Sequence, residues 1–321
     1  MKYNIFLVLF VFILCSSPFK KQANYINYLN SKNFSSKIKK TFDYIPRINS
    51  IVYYDFIEFN KPHIIYYSPK NYKYMKSDFK TSSGSSIIVY NDDNKLLLLT
   101  CAHIVYFPDT VYLKNKSNLV TGIIIKKKQN IYVSNMSNQI DIVAIDTFLD
   151  IALLGVKLKQ DMNTSFFSIT LKKGNSDLLK WGDNIFILGY PKGLQALNQG
   201  IVSFPYKNKN YILTNALFNK GLSGAPVFAI NNETLDFELM GIAKSTLADF
   251  DYVLRPNKDS IITVDEKIVY PYYGNSYITK LEIINYGLTQ IIPINLIYNK
   301  FFKENKSKIE NYGCNFNLLF K

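Results

Sequence analysis

From Thr81 onward the chain alternates between short apolar runs and polar turns. "SSIIVY", "KLLLLTCAHIV", "VTGIIIKK", "IYVS", "DIVAIDT", "DIALLGV", "NIFILGY", "QGIVSF", "YILTNAL", "APVFAI" and "ELMGIAKST" follow one another, separated by Asn, Asp, Gly and Lys. Runs of this length and composition read as β-strands, with no room for long helices between them. "NDDNK" at Asn91–Lys95 predicts a hairpin between two of them. The pattern predicts an all-β sandwich or barrel. Upstream, "SIVYYDFIEF" and "HIIYY" are strand-like, with a turn expected at Asn60-Lys61-Pro62. A short helix is expected near Lys37–Tyr44, and another within "IPINLIYNKFFKENK" after the last strand.

The first residues follow a different pattern. Lys2 precedes an unbroken apolar run, Ile5 to Leu14. A membrane-spanning helix needs about 20 such residues, so the run reads as a signal-peptide core. Cys15 follows directly, then Ser16 and Ser17. This resembles a bacterial lipoprotein signal with Cys15 as the lipidated residue, although Leu14 stands where that signal has a small residue. Cleavage near Ser16 or Ser17 and an uncleaved anchor are the alternatives. The protein is expected to be exported, periplasmic or at the cell surface, with membrane association through this segment. Residues 16–80 read as an N-terminal extension, polar as far as about Tyr44.

Composition narrows the partners. The formal net charge is +14, which raises the question of nucleic acid or an anionic surface. The charge is almost entirely lysine; Arg47 and Arg255 are the only arginines. Bidentate phosphate and guanine contacts favour arginine, so nucleic acid is not expected as a partner. Cys101 and Cys314 either pair, as an exported protein permits, or lie buried as thiols. With two histidines in the chain and no CxxC, no metal and no cofactor are expected.

Candidate chemistry starts from those histidines. His63 has nothing reactive beside it, whereas His103 stands where the apolar run "LLLLTCAHIV" ends. "DIVAIDTFLDIALLGV" offers Asp141, Asp146 and Asp150; Asp150 directly precedes a buried run, where a carboxylate needs a partner such as an imidazole N–H. In "NKGLSGAPVF", Gly221 and Gly224 flank Ser223 and let successive N–H groups converge on an anion. Singly these are a strand-end histidine, a turn-capping aspartate and a Gly-Ser turn. In the order His103, Asp150, Ser223 they form a base, orienting-group and nucleophile sequence. No histidine follows Ser223 and position 225 is alanine, which excludes the G-x-S-x-G elbow of α/β-hydrolases.

These motifs resemble the trypsin-like serine peptidases of the chymotrypsin fold, on the bacterial branch of HtrA/Deg and glutamyl endopeptidases. "TCAHIV" resembles that branch's T-x-A-H motif, "DTFLDIALL" its D-x-x-x-D-[LI]-A-L-L pattern, and "GDNIFILGYPKGLQALNQGIVS" its following stretch. "GLSGAP" matches the G-x-S-G-x-P loop and "IIPINLI" the final strand-to-helix step. The likeness covers roughly residues 81–300. It implies two antiparallel six-stranded β-barrels, at about 81–165 and 180–300, with a short C-terminal helix and a tail at 301–321. It also implies a catalytic triad of His103, Asp150 and Ser223, an oxyanion hole of the Gly221 and Ser223 amides, and substrate contacts at Ala243, Lys244 and Ser245. A serine endopeptidase acting on proteins or peptides follows; the alternative is an inactive protease-fold surface lipoprotein that binds a partner. The sequence departs from the family at Leu222, where an aspartate or asparagine is usual, at Ala225, and at Lys244, where a serine often supports the aspartate. Residues 247–276 read as an insertion, and no PDZ domain is recognisable.

Overall fold

The structure, a computed structural model, describes residues 27–29, 31–63, 72–92, 94–136, 139–158, 171–205, 210–256 and 276–320. The expected signal segment, with Cys15, lies outside these residues. Among the described residues no helix is long and apolar enough to cross a membrane.

Helix α1 spans Lys32–Thr41 and runs into a 3-10 turn at Phe42–Tyr44, so the expected helix starts earlier than "near Lys37". Ser31 caps it by accepting from the Phe34 N–H at 3.2 Å. Phe34 is its buried residue and packs edge-on against Phe186.

The first half holds β1 (Arg47–His63), β2 (Tyr72–Ser85), β3 (Ile87–Asp92), β4 (Lys95–Thr100), β5 (Thr110–Lys114), β6 (Val120–Val133), β7 (Ile140–Asp146) and β8 (Ile151–Lys157). They form two four-stranded antiparallel sheets, ordered β2-β1-β6-β5 and β3-β4-β8-β7. This is two strands beyond the expected six, because the segment read as an extension supplies β1 and most of β2. The boundary expected at residue 81 falls inside β2. The turn expected at Asn60-Lys61-Pro62 is not formed; β1 continues to His63. Pro62 lies past the last β2 pair, Phe59↔Tyr72, and in the bulge between Glu58 and His63 on the β6 side. Its missing N–H therefore breaks no regular ladder bond. The hairpin expected at Asn91–Lys95 joins β3 to β4, and the Asp92 carboxylate accepts from the Asn94 and Lys95 amides. Strands β4 and β8 each lie between two others, and "LLLL" and "IALL" are wholly buried. That is why these runs are continuously apolar instead of alternating.

The second half contains β9 (Lys172–Lys173), β10 (Asn184–Gly189), β11 (Ala196–Phe204), β12 (Ile212–Thr214), β13 (Pro226–Ile230), β14 (Phe237–Pro256) and β15 (Ser276–Pro293). Six of them close in the order β13-β10-β11-β12-β15-β14, with β14 returning to β13. This is the expected six-stranded barrel. Its core includes Ile185, Ile187, Leu222, Val227 and Ile291. The described ends of the 247–276 insertion continue β14 and β15 as a two-stranded ribbon, Leu247↔Asn285 through Pro256↔Ser276.

After Pro293 the chain turns into a short helix, Ile294–Leu296, continued by a π-helical stretch at Ile297–Phe302 and a last helix at Lys306–Asn311. Phe301, Phe302 and Ile309 are fully buried in the same core as Leu96–Leu99. The Phe320 N–H donates to Val89 O at 2.8 Å. The C-terminal segment is thus packed against the first half.

Candidate active site

Three loops meet at the junction of the two halves. The first follows β4: Thr100 ends the strand, and a single helical turn at Ala102–Val105 carries His103. The second is the β7–β8 turn. Here Asp146 accepts from the Phe148 and Leu149 amides and shapes the turn, while Asp141 lies near Gln139 and Tyr312. Asp150 has a left-handed backbone, φ 64°, which costs a non-glycine residue on the order of 1 kcal/mol. That conformation turns its carboxylate onto the His103 loop. Oδ2 lies 2.8 Å from His103 Nδ1, Oδ1 accepts the His103 backbone N–H at 2.9 Å, and the Asp150 carbonyl accepts from Ala102 at 3.2 Å. The His103 side chain is 45% exposed and that of Asp150 11%. Of the three aspartates, Asp150 alone bonds the imidazole.

The third loop carries Ser223. Gly221 has φ 106°, and a Cβ there would lie 2.3 Å from Tyr190 O; Gly224 has φ 78°, and a Cβ would lie 2.3 Å from Ser85 O and 2.4 Å from Thr100 Oγ1. Both positions require glycine. The Leu222 amide donates to Asn219 O, Gly224 to Ala243 O and Ala225 to Leu222 O. The amides of Gly221 and Ser223 donate to no protein group among the described residues. They are the pair of donors expected for an oxyanion.

Ser223 Oγ donates to Lys244 O at 3.3 Å and is not hydrogen-bonded to His103. Lys244 sits at a register shift of β14, between Ala243↔Ile291 and Ser245↔Gln290. Ala243 has nothing to offer a substrate, contrary to expectation. It is fully buried, its N–H donates to Ala225 O, and its carbonyl accepts from Gly224. Lys244 and Ser245, which follow it, are half-buried. Leu222 is also fully buried, in the barrel core, and so anchors the loop by packing in place of the usual polar residue. The Asp150 carboxylate, which lacks a supporting serine at position 244, has both oxygens occupied by His103.

Sequence reasoning missed Ser85. Its N–H donates to Ser223 O at 2.8 Å, its hydroxyl donates to Gly221 O at 2.8 Å and accepts from Tyr190 N–H at 2.9 Å, and its carbonyl accepts from Thr100 Oγ1 at 2.8 Å. The only signal was a polar "SS" directly ahead of the apolar run Ile87–Tyr90.

Cys101, His103 and Asp150 bring one possible metal-ligating atom each within 4.8 Å of one another. Cys101 and Cys314 are both buried free thiols. Burial, reinforced by the Asp150 charge, pushes the Cys101 thiol well above its ordinary range. The thiolate that a metal would need is therefore disfavoured. The Asp150–His103 hydrogen bond also occupies donors that such a set would have to give up.

A sequence profile described as the trypsin-like peptidase domain matches residues 84–235. The chain carries a trypsin-like peptidase domain. The matched stretch holds His103, Asp150 and Ser223, and ends just before β14. The chain is 24% identical over 193 residues to the magnetosome formation protease MamE of Magnetospirillum gryphiswaldense, covering 57% of this chain and 22% of that protein. It is 30% identical over 180 residues to serine protease HTRA1 of Xenopus laevis, covering 53% and 32% respectively. It is 31% identical over 102 residues to a probable periplasmic serine endoprotease, DegP-like, of Chlamydia pneumoniae, covering 29% and 20%. The chain thus spans between a fifth and a third of the length of these curated relatives. Within the peptidase domain, the three loops come from β4–β5, β7–β8 and the approach to β13.

Proposed function

We propose that the protein is an exported serine endopeptidase that cleaves peptide bonds through an acyl-enzyme. The observation that carries this reading is the pair of uncommitted amides at Gly221 and Ser223, in the loop of a serine that follows an Asp150-bound histidine. Ser223 Oγ attacks the carbonyl carbon, and its proton passes to His103 Nε2. Asp150 keeps Nδ1 protonated and stabilises the imidazolium. The oxyanion accepts from the Gly221 and Ser223 N–H groups. As the intermediate collapses, the C–N bond breaks and His103 returns the proton to the leaving amine. Water, deprotonated by His103, then releases the acid and restores Ser223. For this, the hydroxyl turns from Lys244 O towards His103. No cofactor enters the scheme. The apolar run behind Lys2, and the word periplasmic in the names of DegP-like relatives, support export.

A fluorophosphonate probe tests the reading. Wild-type protein takes the label and Ser223→Ala does not; equal labelling of both would remove Ser223 from the role. The bond from Ser223 to Lys244 favours a second reading, an inactive protease-fold lipoprotein that binds a partner. Casein hydrolysis that disappears in His103→Ala excludes it.

A further inference from the structure

A cavity of about 400 Å3 opens beside the Ser223 loop on the face of β1, β2 and β6. Arg47, Asn49, Ser82, Ser83, Tyr132 and Lys220 are among the residues that line it, and no lining residue is acidic. Its place follows from the chain. Lys220 immediately precedes Gly221. Ser82 and Ser83 lead into Gly84, where a Cβ would lie 2.7 Å from Ser223 O. Lys244, whose carbonyl holds the Ser223 hydroxyl, belongs to β14 in the other half of the molecule. Ser223 thus stands between the β14 edge and this cavity.

The cavity is basic without compensation. Among the described residues neither Arg47 nor Lys220 has an ion-pair partner. The Arg47 backbone is pinned by Ser134, whose Oγ accepts from the Arg47 N–H and whose N–H donates to Arg47 O, both at 2.9 Å. Its guanidinium lies against Gly193, where a Cβ would be 2.7 Å from Nη1. The Lys220 carbonyl is tied to the Lys192 N–H at 2.9 Å. A half-buried guanidinium on a fixed backbone, with no acid to neutralise it, is a ready bidentate partner for a carboxylate.

We infer that this cavity receives a carboxylate on the leaving half of the substrate, the part beyond the scissile bond. The inference rests on the peptidase reading above. With the acyl half along Lys244–Ser245, the leaving half crosses the opposite wall of Ser223, over Arg47 and Lys220. The carboxylate belongs either to an Asp or Glu side chain or to the end of the peptide.

The test uses quenched fluorescent peptides sharing an acyl half that the wild type cleaves. They carry Glu or Gln at each of the first three positions after the bond, in an amidated series. A second series ends at those positions as free acid or amide. The 4-nitroanilide of the same acyl half, which has no residue beyond the bond, is the reference for each variant. In the wild type, kcat/KM for the best-placed carboxylate exceeds that of its neutral counterpart by about tenfold. That ratio falls towards one in Arg47→Ala and in the exposed-site variant Lys220→Gln, relative to the nitroanilide. An advantage confined to the free-acid series assigns the chain terminus as the source. Ratios near one in an enzyme that hydrolyses the nitroanilide, or a ratio unchanged in both variants, overturn the inference and leave the peptidase reading standing. Absence of both nitroanilide hydrolysis and fluorophosphonate labelling overturns the peptidase reading, and this one with it.

Discussion

Asp150 binds His103 at two points with a single carboxylate: one oxygen takes the ring Nδ1–H and the other the backbone N–H of the same residue. The imidazole is therefore fixed in tautomer and in position relative to its own main chain. The left-handed backbone of Asp150 is the cost of that grip.

Asp150→Asn keeps the volume but replaces one acceptor oxygen with an amide donor. The ring then favours the tautomer with its proton on Nε2, which cannot accept from serine. The expected result is a kcat lower by about 10⁴-fold with the fold retained, read by peptide hydrolysis alongside circular dichroism.

Gly221→Ala adds a Cβ 2.3 Å from Tyr190 O at a residue with φ 106°. The loop must shift, and the Gly221 amide with it. Loss of one oxyanion donor lowers kcat by about 100- to 1000-fold. Steady-state kinetics on a good peptide would show it, whereas an unchanged kcat would mean that this amide is not a donor.

Leu222→Asp, which introduces the residue usual in this family, places a carboxyl in the core of the second barrel, where Leu222 is fully buried. It removes packing and buries an unpaired polar group, so destabilisation of at least about 3 kcal/mol is expected. Thermal unfolding measures this. A Tm equal to wild type would show that the loop is not anchored by packing.

The two buried thiols resist modification. Burial pushes Cys314 up to about 11 and Cys101 well above its ordinary range. The reactive thiolate appears only as pH rises through those raised values. At pH 8 iodoacetamide should alkylate both slowly in native protein and rapidly in denaturant, as peptide mass mapping would show.

Acid should loosen α1. A hydrogen bond from Lys37 holds the Asp236 carboxyl below its ordinary value of 3.8. A depressed folded value means the contribution is present above the unfolded value and is lost as pH falls through the folded one. The contact is exposed, so the effect is small and local. Amide protection in Lys32–Thr41, taken relative to the intrinsic exchange rate at each pH, should fall below about pH 4 in wild type and vary less with pH in Lys37→Ala.

The strands were legible because each carries its own apolar run between turn residues. The barrel of the second half followed from them. The candidate triad was legible for a different reason: a chain with two histidines has few ways to build a base, and His103 alone stands at the end of a buried strand. What local pattern does not encode is the pairing of distant segments. Nothing in "SIVYYDFIEF" announces that Ile48–Glu58 will pair with Gly122–Val133, which brings the supposed extension into the sheet. Ala243 looked available because its strand carries the right motif, and only the ladder reveals that its N–H and carbonyl are taken. Ser85 was invisible for the same reason, since its partners are far away in sequence.

Ser85 has one further consequence. The loop that presents Ser223 is shaped by a residue made much earlier in the chain and belonging to the other half of the molecule. A second half on its own would hold Ser223 and its glycines without the scaffold that sets their spacing. On the peptidase reading proposed above, competence for peptide cleavage is a property of completed assembly, and Ser223 gains its role only once the two halves have met.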